Sequence, residues 1–347
     1  MQWILMGSSK GGYDHHWITR FVPATRHRFF DVHAAYDHNR SRKASSAGQW
    51  LDYFGHAFRG IRAARLAGDP AVGAVTVFPQ LATATGLLKR LFGMRLPIVA
   101  WSFNMGQDHG GLKTRLARLG LQAVERIVVH SRQEIAGYAR SFGLPEERFV
   151  FVPFSVNVLH PTVAEETGAP FLLAMGSANR DYRCLFEAVR GLDIPLLVVA
   201  GAHATAGLDV PPNVEIRSGL TLEECHVLAQ RARLSVVPVL NVFSASGQVT
   251  FIEAMMFGRC VITTDSIGSV DYVVDGENGV LVPPADAAAL RQAILAHWDD
   301  AAARARIGAR ARDYALAHLT HAAAAVTMAQ LCDALRPAGA ADRQEPG

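Results

Sequence analysis

The run Ser244–Asp286, SASGQVTFIEAMMFGRCVITTDSIGSVDYVVDGENGVLVPPAD, sets four pieces in order: a glycine-containing turn, a helix with one carboxylate, an apolar strand and an acidic glycine-rich loop. Gly247 lets backbone approach a ligand with no side chain in the way. Val249–Phe257 has helical spacing and an alanine and methionine content that suits a helix. Such a helix aims unpaired N–H groups and its positive dipole end at an anion such as a diphosphate. The contacts expected at this tip are Ser246, Gly247, Gln248, Val249 and Thr250, through backbone N–H groups and the Gln248 and Thr250 side chains. Glu253 follows about one turn later, where a carboxylate can accept hydrogen bonds from a ribose diol. The same residues also suit an ordinary amphipathic helix with Glu253 as a solvated surface charge, and local physics leaves both readings open.

The run resembles the donor-site signature of retaining GT-B glycosyltransferases, the large family-four group. Members carry a Glu, seven residues and a second Glu, with Glu-Ala-Met after a glycine-containing turn. Ile252-Glu253-Ala254-Met255-Met256-Phe257-Gly258 matches the second half, as do Cys260–Thr264, Asp275–Gly279 and Pro283–Asp286. The first Glu of the pair falls on Ala245. That carboxylate is associated in the family with the donor sugar near the reacting carbon, so Ala245 leaves donor identity and efficiency of transfer open. Ser246 or Gln248 offers neutral polar groups in its place. The resemblance implies an α/β fold of two Rossmann-like domains facing across a cleft, with the donor in the second and the acceptor in the first. It implies retention at the anomeric carbon, and a donor phosphate that itself takes the acceptor proton. It spans most of the chain, more weakly in the N-terminal half.

The chain has 347 residues, half of them hydrophobic and 19% charged, which suits two domains with sizeable cores. Four scattered cysteines argue against a disulfide framework and fit a reducing compartment. The start MQWILMGSSKGG has no basic region and no long apolar core, so no signal peptide is read there. No apolar stretch is long enough to span a bilayer. The expected location is the cytoplasm, with peripheral contact at the inner face of the membrane. The charge is uneven: residues 1–160 carry a net +10 and residues 161–347 a net −7. A basic first half attracts an anionic acceptor or an anionic membrane face, or serves simply to meet the acidic half. No aromatic-basic interleaving marks a nucleic-acid reader.

Strand candidates alternate with helical patterns, which means parallel sheets covered on both faces. In the first half they are Gln2–Met6, Phe29–His33, Ala74–Phe78, Ile98–Phe103, Arg126–His130 and Phe149–Val152. The second set is Phe171–Met175, Leu196–Ala200, Val214–Ile216, Leu234–Val237, Val261–Thr264 and Val280–Val282. Helices are read at Trp50–Ala67, Leu112–Val124, Ala287–Trp298, Ala301–His318 and His321–Leu335, with another from about Tyr13. Ser131 and Glu134 read as a capping box. The expected domains are 1–158 and 169–319, with a last helix over about 320–336 packing back on the first and a flexible tail at 337–347. The opening strand, glycine loop and helix lack G-x-G-x-x-G spacing, which disfavours a dinucleotide site.

Ligands of open parallel sheets bind beyond the C-terminal ends of the strands, so loop residues just after strands are the candidates. Arg180, in the loop Gly176-Ser177-Ala178-Asn179-Arg180, aligns with the family's diphosphate-binding Lys, while the usual Arg after the glycine is Ser177. One guanidinium can hold phosphate oxygens in a bidentate way and stabilise the departing diphosphate. The alternative is a surface pair with Asp181. Gly219 and its neighbours, with Gly201, are candidates to frame the base. In the first half, Gly11, Gly12, Gln80, Asn104, His109 and His130 are candidate acceptor contacts. His15 and His16 are candidates for a general base or donor beside Arg180 and Glu253. No D-x-D and no His/Cys spacing suggests a metal, so no cofactor is expected beyond the nucleoside diphosphate sugar itself. Leu87–Leu96 and Leu112–Val124 mix leucines with basic residues and read either as a membrane-surface patch or as ordinary amphipathic helices.

Taken together these features predict a glycosyltransferase that moves a hexose-type sugar from a nucleoside diphosphate to a glycan, lipid-linked or small acceptor. Two alternatives share the scaffold: a sugar-nucleotide-binding protein without transfer, which Ala245 motivates, and a sugar-nucleotide epimerase.

Overall fold

A computed structural model describes residues 1–7, 17–36, 46–67, 72–105, 111–240 and 244–336, apart from the side chains of Leu112 and Lys113. The chain forms two compact units, Met1–Val152 with His321–Gly347, and Pro153–Thr320. The expected tail at 337–347 and the helix expected from Tyr13 fall on residues outside those described. The first described element after that point is a short 3-10 turn at Ile18–Phe21.

Unit one begins with β1 (Gln2–Met6), β2 (Arg28–Asp31), α1 (Ala47–Leu66), β3 (Val72–Val77), α2 (Pro79–Leu91) and β4 (Ile98–Trp101). It continues with α3 (Gly111–Leu121), β5 (Arg126–Val129), α4 (Glu134–Phe142) and β6 (Phe149–Phe151). Its six strands form one sheet in the order β2-β1-β3-β4-β5-β6, every pair parallel. Alternation along β1 sends Ile4 and Met6 into a core with Tyr53, Ile61 and Leu81 of α1 and α2. Trp3 and Leu5 point to the other face.

Unit two runs β7 (Leu172–Met175), α5 (Tyr182–Val189), β8 (Leu196–Val199), β9 (Val214–Arg217), α6 (Leu222–Arg231) and β10 (Leu234–Val237). Then come α7 (Gln248–Met256), β11 (Val261–Thr264), β12 (Val280–Val282), α8 (Ala287–Trp298) and α9 (Ala301–His318). Its sheet order is β12-β11-β10-β7-β8-β9, again all parallel. The central strands LLVV and LSVV are buried throughout, as a sheet covered on both faces demands. In each sheet the first strand lies between the next part of the chain and a strand reached by reversing direction. Those switch points are β1/β3 and β7/β10, and they are where ligands of such sheets bind.

The last helix, α10 (His321–Ala334), belongs to unit one. Its Met328 and Cys332 close the face formed by Trp3, Leu5, Val75 and Val99. Asp333 fixes it through Arg26, Arg336 and His27, whose Nε2 lies 3.0 Å from Asp333 Oδ1. His27 Nδ1 accepts a hydrogen bond from Trp3 Nε1–H at 3.2 Å. That contact requires an unprotonated Nδ1, in keeping with burial pushing the His27 pKa below its ordinary value.

Two local expectations change. The helix expected from Trp50 starts at Ala47, because Ser46 and Gln49 form a reciprocal capping box. Ser131 and Glu134 do not form one: Ser131 Oγ accepts from Gln133 N–H at 3.2 Å, and Glu134 is buried with Oε1 accepting from Tyr138 Oη–H at 3.1 Å. The helix starts at Glu134, two residues later than a Ser131 cap needs, so the serine makes a turn instead. Among the described residues no helix is long and apolar enough to cross a membrane.

Candidate functional site at the β7/β10 switch point

The loop after β7 is stitched onto the segment after β10. Arg180 and Val239 form an antiparallel bridge, Asp181 N–H donates to Pro238 O at 3.1 Å, and Leu240 N–H donates to Asn179 O at 2.9 Å. Asn179 turns the loop with a left-handed φ of 54°, and its Nδ2 donates to Ser246 Oγ at 3.0 Å. Two strand-end loops therefore act as one platform.

Arg180 crosses this platform. Its Nε donates to Met175 O at 3.0 Å, Nη1 to Ala178 O at 2.9 Å and Nη2 to Thr250 Oγ1 at 3.0 Å. Gly176 makes the room: a Cβ there would lie 2.6 Å from Arg180 Nη2. A guanidinium has five N–H donors, so three internal bonds leave two for a ligand. Burial lowers the Arg180 pKa, and the neighbouring Tyr182 phenol pulls the other way. Tyr182 is itself pushed up to about 12 by burial and stays neutral, with its hydroxyl donating to Gly176 O at 2.6 Å. Among the described residues no carboxylate pairs with Arg180. The surface pair with Asp181 does not form, because Asp181 Oδ1 accepts from Cys184 N–H at 3.0 Å as the cap of α5.

The start of α7 has matching chemistry. In unit two, α5 is capped by Asp181, α6 by Thr221, α8 by Asp286 and α9 by Asp300. The N-cap of α7 is Gly247, with no side-chain bond. The N–H groups of Val249 and Thr250 find no acceptor among the described residues, as expected for an uncapped first turn. Gly247 holds φ 87°, and a Cβ there would lie 3.1 Å from Val237 Cγ1 and 3.2 Å from Val239 Cγ2. The glycine thus lets α7 begin flush against β10, with Arg180 Nη1 3.9 Å from the same point. An uncapped helix tip and a cation without an acid partner together form an anion-binding geometry.

Glu253 stands one turn beyond Thr250 on the same face of α7. Its side chain is 15% exposed, and Oε1 lies 3.4 Å from His226 Nε2 on α6. Burial raises its pKa, and His226 pulls the other way. Gly219, φ 75°, turns the chain from β9 toward the Thr221 cap of α6. Ser177 Oγ accepts from Gly201 N–H at 2.7 Å, tying the β7 and β8 loops together.

Known proteins resemble this chain in unit two and in fold. A family model described as "Glycosyl transferases group 1" matches residues 169–300, most of unit two. The D-rhamnosyltransferase WbpZ of Pseudomonas aeruginosa is 26% identical over 144 residues, 39% of this chain and 38% of that protein. Among solved structures, sucrose-phosphate synthase from Thermosynechococcus elongatus superposes with a TM-score of 0.73 at 18% identity, covering 96% of this chain and 99% of the other. HepE of Anabaena, solved in complex with UDP, gives a TM-score of 0.68 at 12% identity over 96% and 100% of the two chains.

The chain has the GT-B fold of these solved structures, and its residues 169–300 match the group 1 glycosyl transferase model.

Set against the signature read from its sequence, the chain departs at Gln248 and Ala245. The Gln248 side chain turns inward, its Nε2 donating to Tyr272 Oη at 2.9 Å, which leaves only its backbone toward the helix tip. Ala245 is 5% exposed and packs against the loop after β11, where a Cβ on Gly268 would lie 2.6 Å from Ser246 N. The place of the family's first Glu is therefore closed by backbone, and Ser246 is the hydroxyl left at the rim. The Thr250 hydroxyl is also turned from its expected use, because it orients Arg180.

In unit one, Gln80 stands in the first turn of α2 beside the switch point, and its buried Oε1 has no hydrogen-bond partner. Phe78 just before it holds a left-handed φ of 75°. Asn104 follows β4 and is exposed. His130 is buried, with Nδ1 on Val152 O at 2.7 Å and Nε2 on Ser102 Oγ at 3.3 Å, so its ring faces inward rather than toward an acceptor. Gly11, Gly12, His15, His16 and His109 lie outside the described residues. Among the described residues no three His, Cys, Asp or Glu side chains gather to hold a metal. The sequence reading missed Asn179 and His226. Asn at a left-handed position has a recognisable preference, whereas His226 gave no sequence signal.

Proposed function

We propose that the protein transfers a sugar from a nucleoside diphosphate to an acceptor, with retention at the anomeric carbon and without a metal. The observation that carries this reading is the pairing of the uncapped α7 tip with Arg180, a partly buried cation that no carboxylate among the described residues neutralises. A diphosphate supplies the missing charge. As the sugar leaves, negative charge grows on that diphosphate, and preorganised donors stabilise it most where water is scarce. The N–H groups of Val249 and Thr250 with the two remaining Arg180 donors fill this role, Glu253 receives the ribose diol, and the Gly219 loop frames the base. Gln80 and Asn104 on unit one are the described candidates for the acceptor. Retention, and the donor phosphate as proton acceptor, rest on the likeness of Ser244–Asp286 to retaining enzymes. The D-rhamnosyltransferase match and the UDP complex of HepE support the donor class.

A thermal-shift panel of UDP, GDP, ADP and dTDP sugars tests the reading, because a ligand bound only by the native state raises Tm. At least one donor should stabilise the protein, and its turnover with a suitable acceptor should survive EDTA. No stabilisation by any donor would contradict the site, and loss of turnover in EDTA restored by a divalent cation would contradict metal independence. Binding without transfer or hydrolysis would favour the second reading, a sugar-nucleotide-binding protein, which the closed position of Ala245 supports.

We also propose that unit one meets an anionic membrane through α1 and α2. Leu51, Phe58 and Leu66 are 74%, 50% and 75% exposed along one α1 stripe that also carries Arg59, Arg62 and Arg65. Leu91, 75% exposed, ends α2 between Arg90 and Arg95. Asp52 is the one carboxylate in α1 and α2. Each basic residue near an anionic bilayer contributes about 1 kcal/mol. Vesicles with 30% phosphatidylglycerol, a roughly cell-like anionic fraction, should sediment the protein, and binding should fall at least about tenfold for Arg59→Gln/Arg62→Gln/Arg65→Gln. Equal binding to pure phosphatidylcholine would contradict the proposal.

A further inference from the structure

We propose that His226 is a positioning residue for the nucleotide site, holding the Glu253 carboxylate aimed so that it can accept both hydroxyls of a ribose. The inference rests on the reading of Glu253 given above and extends it to a residue on a different helix.

His226 is built into place. Its ring meets Phe257 edge-on at 5.5 Å, and only 20% of its side chain is exposed. Its backbone carbonyl accepts from Gln230 Nε2 at 3.0 Å, and Gln230 Oε1 accepts from Val163 N–H at 3.0 Å. The capping box of Thr221 and Glu224 fixes the start of α6. What this framework presents is a buried Nε2 with no hydrogen bond of good geometry, 3.4 Å from Glu253 Oε1. A small movement of the carboxylate, such as a ligand on its other oxygen can cause, would close that contact to a hydrogen bond.

Among the described residues no other group is placed to perform this task. From α6, Glu253 is faced by His226, and Cys225 lies close enough to feel its charge. Burial, then Glu253 and Glu224, push the Cys225 thiol up, so it stays neutral. The rest of α7 has no ionisable side chain, and neither do β10 and β11. On α9, Arg312 is engaged with Met256 O and Leu159 O. His226 is thus the one described ionisable side chain within ion-pair distance of Glu253.

The consequence is a pH dependence with a fixed sign. Burial favours the protonated carboxyl and His226 opposes it. A protonated Glu253 carries a donor where the diol needs acceptors, so affinity is present above the Glu253 pKa and lost as pH falls through it. Without His226 the loss begins at higher pH.

The test is calorimetry of UDP, GDP and ADP against wild-type protein, His226→Phe, His226→Gln and Glu253→Gln from pH 5 to 8, with dTDP as a control lacking the 2′-hydroxyl. Titration of the nucleotide phosphate is common to all proteins and cancels in the ratio of affinities. The acid limb of the His226→Phe profile should move up by about one pH unit, equivalent to about tenfold weaker binding on that limb. His226→Gln, which keeps an N–H donor, should recover part of the affinity but keep the shifted limb. With saturating donor, kcat of both His226 variants should stay within about twofold of wild type while KM for donor rises, since a positioning role acts through binding. A His226→Phe profile that overlays wild type, while Glu253→Gln binds weakly, overturns the role of His226 alone. Glu253→Gln binding as tightly as wild type, or no nucleotide binding to wild type, overturns the reading of the site itself.

Discussion

Arg180→Ala should lower kcat/KM by about 10²- to 10³-fold, the scale seen when one preorganised donor to a developing anion is removed. The loss should fall mainly on kcat, because the charge on the diphosphate grows as the bond to the sugar breaks. Stability should move the other way. In the free protein Arg180 is a partly buried cation held by the carbonyls of Met175 and Ala178 and the Thr250 hydroxyl, with no carboxylate among the described residues. Such a charge is costly to bury without an opposite partner, so its removal should leave Tm unchanged or raise it. Arg180→Lys should rescue little. One ammonium on a flexible stem cannot span Met175 O, Ala178 O and Thr250 Oγ1 and still present two donors outward. Steady-state kinetics and thermal melts of the three proteins decide the matter. Near-wild-type turnover by Arg180→Ala, or a large drop in its Tm, would show that this arginine is structural.

Gly247→Ala should reduce nucleotide affinity by at least about tenfold and cost about 1–3 kcal/mol of stability, the range for a non-glycine residue forced into left-handed backbone. Two causes act together. The residue holds φ 87°, and the added methyl would lie 3.1 and 3.2 Å from Val237 and Val239. Relief of that contact must lift the start of α7 from β10 and carry the Val249 and Thr250 N–H groups away from Arg180. Gly276→Ala is the control. It has a similar φ of 71° but open space around the new methyl. It should pay the backbone strain and keep nucleotide affinity. Equal affinities for Gly247→Ala and Gly276→Ala would mean that the seat of α7 does not matter for binding.

Much of unit two was legible because its periodicities are strong. Strands such as Leu234–Val237 and Val261–Thr264 were read to the residue, as were the helices at Ala287–Trp298 and Ala301–His318. Short apolar runs between turn residues, and long helices after Asp caps, leave few alternatives. Gly247 and Arg180 were legible as residues, but what makes them a site was not. That α7 lacks a side-chain cap while its neighbours have one, and that Arg180 has no acid partner among the described residues, are statements about three-dimensional neighbours. The same limit hid the inward turn of Gln248 onto Tyr272, which lies 24 residues away in sequence. It hid the closing of Ala245 by the loop at Gly268, and the meeting of His226 with Glu253 across two helices. The capping box read at Ser131 failed for a local reason: the motif fits the sequence, but the cap position falls on Gln133, two residues after the serine.

The central claim is that a diphosphate is held by the first turn of α7 together with Arg180. A crystal structure of the protein with UDP, GDP or ADP, whichever stabilises it most, tests this directly. The account predicts diphosphate oxygens within hydrogen-bond distance of the Val249 and Thr250 N–H groups and of Arg180, with the ribose hydroxyls on Glu253. A nucleotide bound elsewhere in the molecule, with the α7 tip vacant or filled by side chains, would contradict it.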